Sequence, residues 1–224
     1  MNKGLIEYLK EFSVEKRIAR FEEVLESRTR QFTVALENIY QPHNTSAVLR
    51  SCDCFGVQDV HIIENSNKYA VNPDIALGSS QWLTVNRYNE KENNTVDCIN
   101  NLKSKGYKVY GTTPHTNDQL ISEIPADQKT ALIFGTEQHG LSDVAMENVD
   151  GYVKIPMYGF TESFNISVSV ALCLHEYSER MRKVEGYNWQ LTEEEKDELM
   201  VAWLCNSIKS SKLLVEEYKK SLTK

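Results

Sequence analysis

Residues 131–142 read ALIFGTEQHGLS and residues 152–177 read YVKIPMYGFTESFNISVSVALCLHEY, and the way these two segments break decides the fold class. Ala131 to Phe134 is a short apolar run stopped by Gly135. Tyr152 to Met157 is a second run, stopped by Gly159, after which apolar residues recur at helical spacing from Ile166. Two strands therefore end in glycine loops. In an open α/β sheet the carboxyl ends of strands are where main-chain groups leave the ladder and can meet a ligand. The stretch predicts a small-molecule pocket built largely from backbone.

Upstream, strands alternate with helices. Phe32 to Leu36 is a nearly continuous apolar run, as a parallel strand covered on both faces requires. The segment IYQPHNTSAVLRSCDCFG follows; Asn44 is a plausible N-cap after Pro42, with Val48, Cys52 and Phe55 as the buried stripe. At helical spacing Arg50 lies about 200° from Val48, away from that stripe. Val60 to Ile63 and the end of LGSSQWLTVNRY give two more strands. Asn94 to Lys105 reads as a helix stopped by Gly106, and Tyr107 to Tyr110 as a strand opening into Gly111-Thr112-Thr113-Pro114. This alternation over residues 32–180 predicts an α/β fold, a mostly parallel sheet with helices on both faces.

The flanks read as helices. Residues 5–28 carry Val14, Ile18, Phe21 and Leu25 on one side of a single amphipathic helix, and Arg17, Arg20 and Arg28 fall within an arc of about 80° on another. That arginine face fits either a solvated surface balanced by Glu22, Glu23 and Glu26 or a phosphate contact. After Gly186, TEEEKDELMVAWLCNSIK and SKLLVEEYKKSL are two further helices, with Leu199, Ala202 and Trp203 on the first apolar side and Leu214 and Tyr218 on the second.

Composition narrows the function classes. The 224 residues are 41% hydrophobic and 25% charged, with a net charge of −7. No apolar run approaches a membrane span and MNKGLIEYLKEFSVEKR has no secretory core, so a cytoplasmic protein is expected. Five cysteines without metal spacing argue against a disulfide framework and a metal site. GTEQHG has phosphate-loop glycine spacing but is followed by Leu141-Ser142, so the lysine of that motif is missing. No GxGxxG occurs, and His43, His61, His115, His139 and His175 form no HExxH.

LENIYQPHNTSAVLRSCDCFGV, LIFGTEQHGLS and KIPMYGFTESFNISVSVA resemble, in order, the three signature motifs of the SPOUT RNA 2′-O-ribose methyltransferases. RFEEVLESR, GSSQWLTV, YKVYGTTP and the AWL-containing tail are similar to the TrmH branch, the tRNA guanosine-18 2′-O-methyltransferases. The resemblance implies a C-terminal deep trefoil knot, a homodimer, and a tRNA substrate methylated on the ribose of a D-loop guanosine. Its organisation would be an N-terminal helical extension contacting tRNA (1–30), a SPOUT methyltransferase domain (31–183) and a C-terminal helical extension (184–224).

The resemblance also assigns positions. S-adenosylmethionine would sit against Thr112, Gly135, Thr136, Glu137, Gly140, Ile155, Met157 and Phe164, the last replacing the usual leucine. Arg50 carries over as the catalytic residue and Asn44 as the residue ordering its loop. Ser163 and Asn165 would shape the site near the methyl group, and Glu137 would brace the cofactor loop. Arg17, Arg20 and Arg28, with Arg50, match arginines used on RNA, while Glu179 stands where relatives carry a basic residue. No metal is implied. Two rival readings stay open: a 2′-O-methyltransferase of rRNA or another tRNA position, and a non-enzymatic RNA-binding or folding module.

Overall fold

The sheet is built as the strand spacing predicts. The computed structural model describes residues 2–114 and 119–222; His115 lies outside the described residues. In chain order β1 is Phe32–Glu37, β2 Asp59–Ile63, β3 Thr84–Tyr88, β4 Lys108–Thr112, β5 Gln119–Leu120, β6 Thr130–Phe134 and β7 Gly151–Lys154. Among the described residues they form one seven-stranded sheet in the order β3-β2-β1-β6-β4-β7-β5, every pairing parallel.

Side chains alternate across a strand, so β1 serves two cores. Phe32, Val34 and Leu36 join Val48 and Cys52 of helix α3 (Pro42–Cys54) and Val170, Leu174 and Tyr177 of α7 (Ile166–Met181) on one face. Ala35 of the same strand joins Ile133 of β6 and Cys98, Ile99 and Leu102 of α5 (Thr95–Ser104) on the other. The Tyr177 ring stacks on Phe32 at 4.3 Å, and its hydroxyl donates to the Thr130 hydroxyl at 2.8 Å. A buried tyrosine thus keeps both its apolar contact and its hydrogen bond.

The connections complete the same unit. α4 (Pro73–Ala76) and a short 3-10 turn at Ser79–Gln81 lead into β3, and α6 (Asp143–Asn148) links β6 to β7. Three local expectations shift. α3 begins at Pro42 with Gln41 as its cap, so Asn44 sits buried inside the first turn instead of capping it. Proline suits that first position because its missing N–H has no intrahelical partner there anyway. β4 runs on to Thr112, paired with Val153, and β7 stops at Lys154, leaving Ile155 to Asn165 as an irregular segment. Asn165 caps α7 through its side chain, which accepts from the Ser167 amide.

Contacts divide the chain into two units, residues 30–189 holding the sheet and residues 1–29 with 190–224 forming a helical unit. The helical unit corrects the single N-terminal helix. Residues 5–28 contain a break: α1 spans Asn2–Lys10, the chain turns through residues 11–14, and α2 spans Glu15–Leu25 with Val14 extended before it. The turn lets Leu9 and the Phe21–Leu25 side both be buried, which one straight rod cannot do, and leaves Val14 exposed. α8 (Glu193–Ser207) starts with a capping box between Thr192 and Glu195, and α9 (Ser211–Ser221) follows. Leu199 and Trp203 of α8 are buried as expected, whereas Ala202 is exposed and Met200 and Leu204 take its place.

Candidate active site

Three residues that the sequence places far apart meet at one carboxylate oxygen. Asn44 Nδ2 donates to Glu137 Oε1 at 2.6 Å and Asn165 Nδ2 donates to the same oxygen at 2.8 Å. Asn165 Nδ2 also reaches Asn44 Oδ1 at 3.2 Å, closing a triangle. Asn44 comes from the first turn of α3, Glu137 from the loop after β6, and Asn165 from the cap of α7, whose Oδ1 accepts from the Ser167 amide and hydroxyl at 2.9 and 2.6 Å. The triangle ties together three of the segments that leave the carboxyl side of the sheet, those after β1, β6 and β7. Gln41 is a further partner of Asn44, at 3.4 Å, and sequence reasoning did not anticipate it.

Beside the triangle lies a cavity of about 370 Å3 at the carboxyl ends of β4, β6 and β7. Thr112, Gly135, Thr136, Glu137, Gly140, Ile155, Met157 and Phe164 all line it, as does Ser163. The volume is that of a small-molecule site. Its wall from β6 is a tight hairpin in which Thr136 and Gly140 exchange backbone hydrogen bonds of 2.8 and 2.9 Å. A Cβ at Gly135 would fall onto the Gly140 carbonyl and the Leu141 amide nitrogen, while Gly140 has φ +67 and open space around it. Glycine is required at the first position by close approach and at the second by backbone conformation.

The lining includes residues that the sequence did not single out. Glu162 adds a second carboxylate to that of Glu137, and Cys173 reaches the cavity from α7. Burial pushes the Cys173 thiol up to about 12, so it stays protonated and does not act as a nucleophile. Both lie in segments already marked by their glycine and helix spacing; no pattern in the chain distinguishes them from their neighbours.

The other candidates do not line the cavity. Arg50 is exposed on α3, outside both the triangle and the cavity lining. Arg17 and Arg20 are exposed on α2, and Arg20 pairs with Glu23 at 2.7 Å. Arg28 departs from that face: it lies beyond the end of α2, is 2% exposed, and holds its guanidinium over the Trp203 ring at 5.4 Å. A buried arginine stacked on tryptophan braces the helical unit and does not present itself to a phosphate. Glu179 pairs with Lys183 at 3.0 Å. No group of three or more metal-ligating side chains occurs, and no helix is long and apolar enough to cross a membrane, among the described residues.

Residues 31–175 match the SpoU rRNA Methylase family, and the chain belongs to it. Within that family it is 40% identical over 202 residues, 90% of each chain, to the tRNA (guanosine(18)-2'-O)-methyltransferase of Borreliella burgdorferi. It is 31% identical over 222 residues to the protein of the same name from Aquifex aeolicus, covering 98% of this chain and 99% of that one. The crystal structure of the A. aeolicus TrmH/SpoU tRNA modifying enzyme superposes with a TM-score of 0.77 at 30% identity, covering 87% of this chain and 98% of the other. The SpoU methyltransferase AviRb from Streptomyces viridochromogenes, solved in complex with AdoMet, shares the fold at TM-score 0.60 and 22% identity.

Proposed function

We propose that this protein transfers a methyl group from S-adenosylmethionine to the ribose 2′-OH of guanosine-18 in the tRNA D loop. The observation that carries the reading is the cavity at the strand ends with the Asn44–Glu137–Asn165 triangle on its rim. The lining suits the cofactor: Ile155, Met157 and Phe164 offer apolar surface for an adenosine, and a close-packed glycine turn offers main chain. Bound there, S-adenosylmethionine supplies a methyl group on a positively charged sulfonium. The carboxylates of Glu137 and Glu162 favour that charge in the cavity.

The chain's own part is alignment. Methyl transfer to a hydroxyl is an in-line displacement, so holding the acceptor on the methyl axis supplies much of the rate. Ser163, which lines the cavity, and Asn165, which bonds to the lining Glu137, serve this alignment, with Glu137 fixing Asn44 and Asn165 relative to the cofactor loop. Arg50 stabilises the alkoxide that develops on the ribose as the hydroxyl proton passes to solvent, and anchors the adjoining phosphate; the methyl–sulfur bond that breaks leaves a neutral thioether, S-adenosylhomocysteine, and a guanidinium is unsuited to act as base. Arg17 and Arg20 contact tRNA phosphates.

The assembly we propose is a homodimer in the cytoplasm, acting without a metal. Val168 and Leu172 make an exposed apolar stripe on α7, and Tyr158 and Phe160 before it are 95% and 107% exposed. A second copy covering this face would also build up the site, since Arg50 does not line the cavity of its own chain. The same reading includes the deep trefoil knot. It is supported by membership of the SpoU family and by the superposition on the A. aeolicus TrmH/SpoU enzyme.

Transfer of labelled methyl to an unmodified tRNA transcript tests the substrate. A transcript carrying adenosine at position 18 should accept none; equal acceptance by both would reject the guanosine-18 assignment.

A further inference from the structure

We propose that Glu37 is a positioning residue for the cofactor loop, anchoring through Ser142 the hairpin that carries Thr136 and Glu137. The inference rests on the reading of this cavity as the cofactor site. Glu37 ends β1 and is 2% exposed, and no ion pair to it occurs among the described residues. A buried carboxylate without a cation is costly and persists only where donors surround it. Three do. The Thr95 hydroxyl donates to Glu37 Oε1 at 2.6 Å, the Ser142 hydroxyl to the same oxygen at 2.7 Å, and the Ser142 amide to Oε2 at 2.9 Å.

Each hydroxyl is itself an acceptor in turn. Thr95 Oγ1 accepts from Asn65 Nδ2 at 3.0 Å, and Ser142 Oγ accepts from the Ala145 amide at 3.1 Å as the cap of α6. Both hydroxyl protons are therefore committed toward Glu37, and only an acceptor-only group satisfies all three donors. Glutamine would turn an amide N–H₂ toward one of them.

The placement gives this cluster a purpose beyond packing. Ser142 follows directly on the Gly135–Leu141 loop. The loop's entry is fixed by the pairing of Leu36 with Phe134, one residue before Glu37. Its exit is held on the β4 side by Leu141, whose Cδ1 would lie 2.8 Å from a Cβ at Gly111, and on the β1 side by Glu37. Both feet of the loop are thus held by the strands that flank β6. Without Glu37 the exit foot loses its β1 anchor, and the hairpin is free to shift against Asn44 and Asn165.

Glu37→Gln, Ser142→Ala and Ser142→Thr, assayed as full-length protein with S-adenosylmethionine and unmodified tRNA, test this. A small misplacement of an aligning loop costs on the order of tenfold to a hundredfold. We expect Glu37→Gln and Ser142→Ala to raise the KM for S-adenosylmethionine about tenfold with the KM for tRNA unchanged. Ser142→Thr, which keeps the hydroxyl, should restore it. Amide exchange at Thr136 and Gly140 should quicken in the first two variants and not in the third. If both KM values move together, or if only the melting temperature falls, Glu37 is a structural residue and the proposal is overturned. Should Glu37→Gln fail to fold, Ser142→Ala against Ser142→Thr decides the matter. A wild-type protein that takes up no S-adenosylmethionine would overturn the functional reading instead, while the exchange rates would still report whether Glu37 holds the loop.

Discussion

Glu137 and Asn165 are joined by a 2.8 Å hydrogen bond across 28 residues of chain, and the Glu137 oxygen that accepts it is the one that accepts Asn44 at 2.6 Å. One carboxylate oxygen therefore sets the spacing between a loop, a helix start and a helix cap.

Removing that oxygen should be felt by both amides together. Glu137→Ala leaves the buried Asn44 Nδ2 with only a 3.4 Å contact to Gln41, at a cost of about 1–3 kcal/mol. A double-mutant cycle of Asn44→Ala with Glu137→Ala, read by chemical denaturation, should give a coupling of about 1 kcal/mol or more. Simple additivity would mean that the two side chains do not act on each other.

The two glycines of the hairpin should respond unequally. Gly135→Ala places a methyl group against the Gly140 carbonyl and Leu141 nitrogen, so the turn must open and cofactor binding should be lost. Gly140→Ala meets open space and costs only the left-handed conformation, about 1–2 kcal/mol. Calorimetric titration of S-adenosylmethionine into both variants checks the order.

The arginines of the helical unit should separate into two kinds. Arg17→Ala should weaken tRNA binding and reduce the salt slope of the affinity by about 1, as the loss of one phosphate contact does. Arg28→Ala should instead lower the melting temperature, because that guanidinium is buried against Trp203. Filter binding across a salt series and thermal melts would show the division.

His61 gives the fold a defined acid sensitivity. Burial, with the nearby Lys105 charge, lowers it from 6.5 to about 4, and its Nδ1 lies 3.0 Å from the Tyr88 hydroxyl. Asn101 donates to that hydroxyl at 2.8 Å. The folded value lies below the unfolded one. The stabilising effect is therefore complete above pH 6.5 and is lost as pH falls toward 4, by about 3 kcal/mol in all. His61→Phe should flatten the dependence of unfolding free energy on pH across that window relative to wild type.

What the sequence made legible follows from periodicity. β1 and β6 are nearly continuous apolar runs because both their faces are covered, and their bounds are readable within a residue. The glycine turns made a backbone-rich pocket at the strand ends legible, whereas the individual lining residues came only from the resemblance of the motifs to a known family. The break at residues 11–14 was not, since the apolar spacing of Val14, Ile18, Phe21 and Leu25 holds for a straight helix and only tertiary packing prefers the turn. Arg28 was misplaced for the same reason: a helical-wheel angle has no meaning beyond the helix end. The partners of Glu37 are distant in sequence, at separations of 58 and 105 residues, and no local pattern encodes them.

The most direct test is to incubate the purified protein with labelled S-adenosylmethionine and unmodified bulk tRNA and to map the methyl group by mass spectrometry, with Arg50→Ala alongside. The account predicts label on the ribose of guanosine-18, lost in the variant. Label at another nucleotide, or saturable cofactor binding with no label in any RNA, would contradict it.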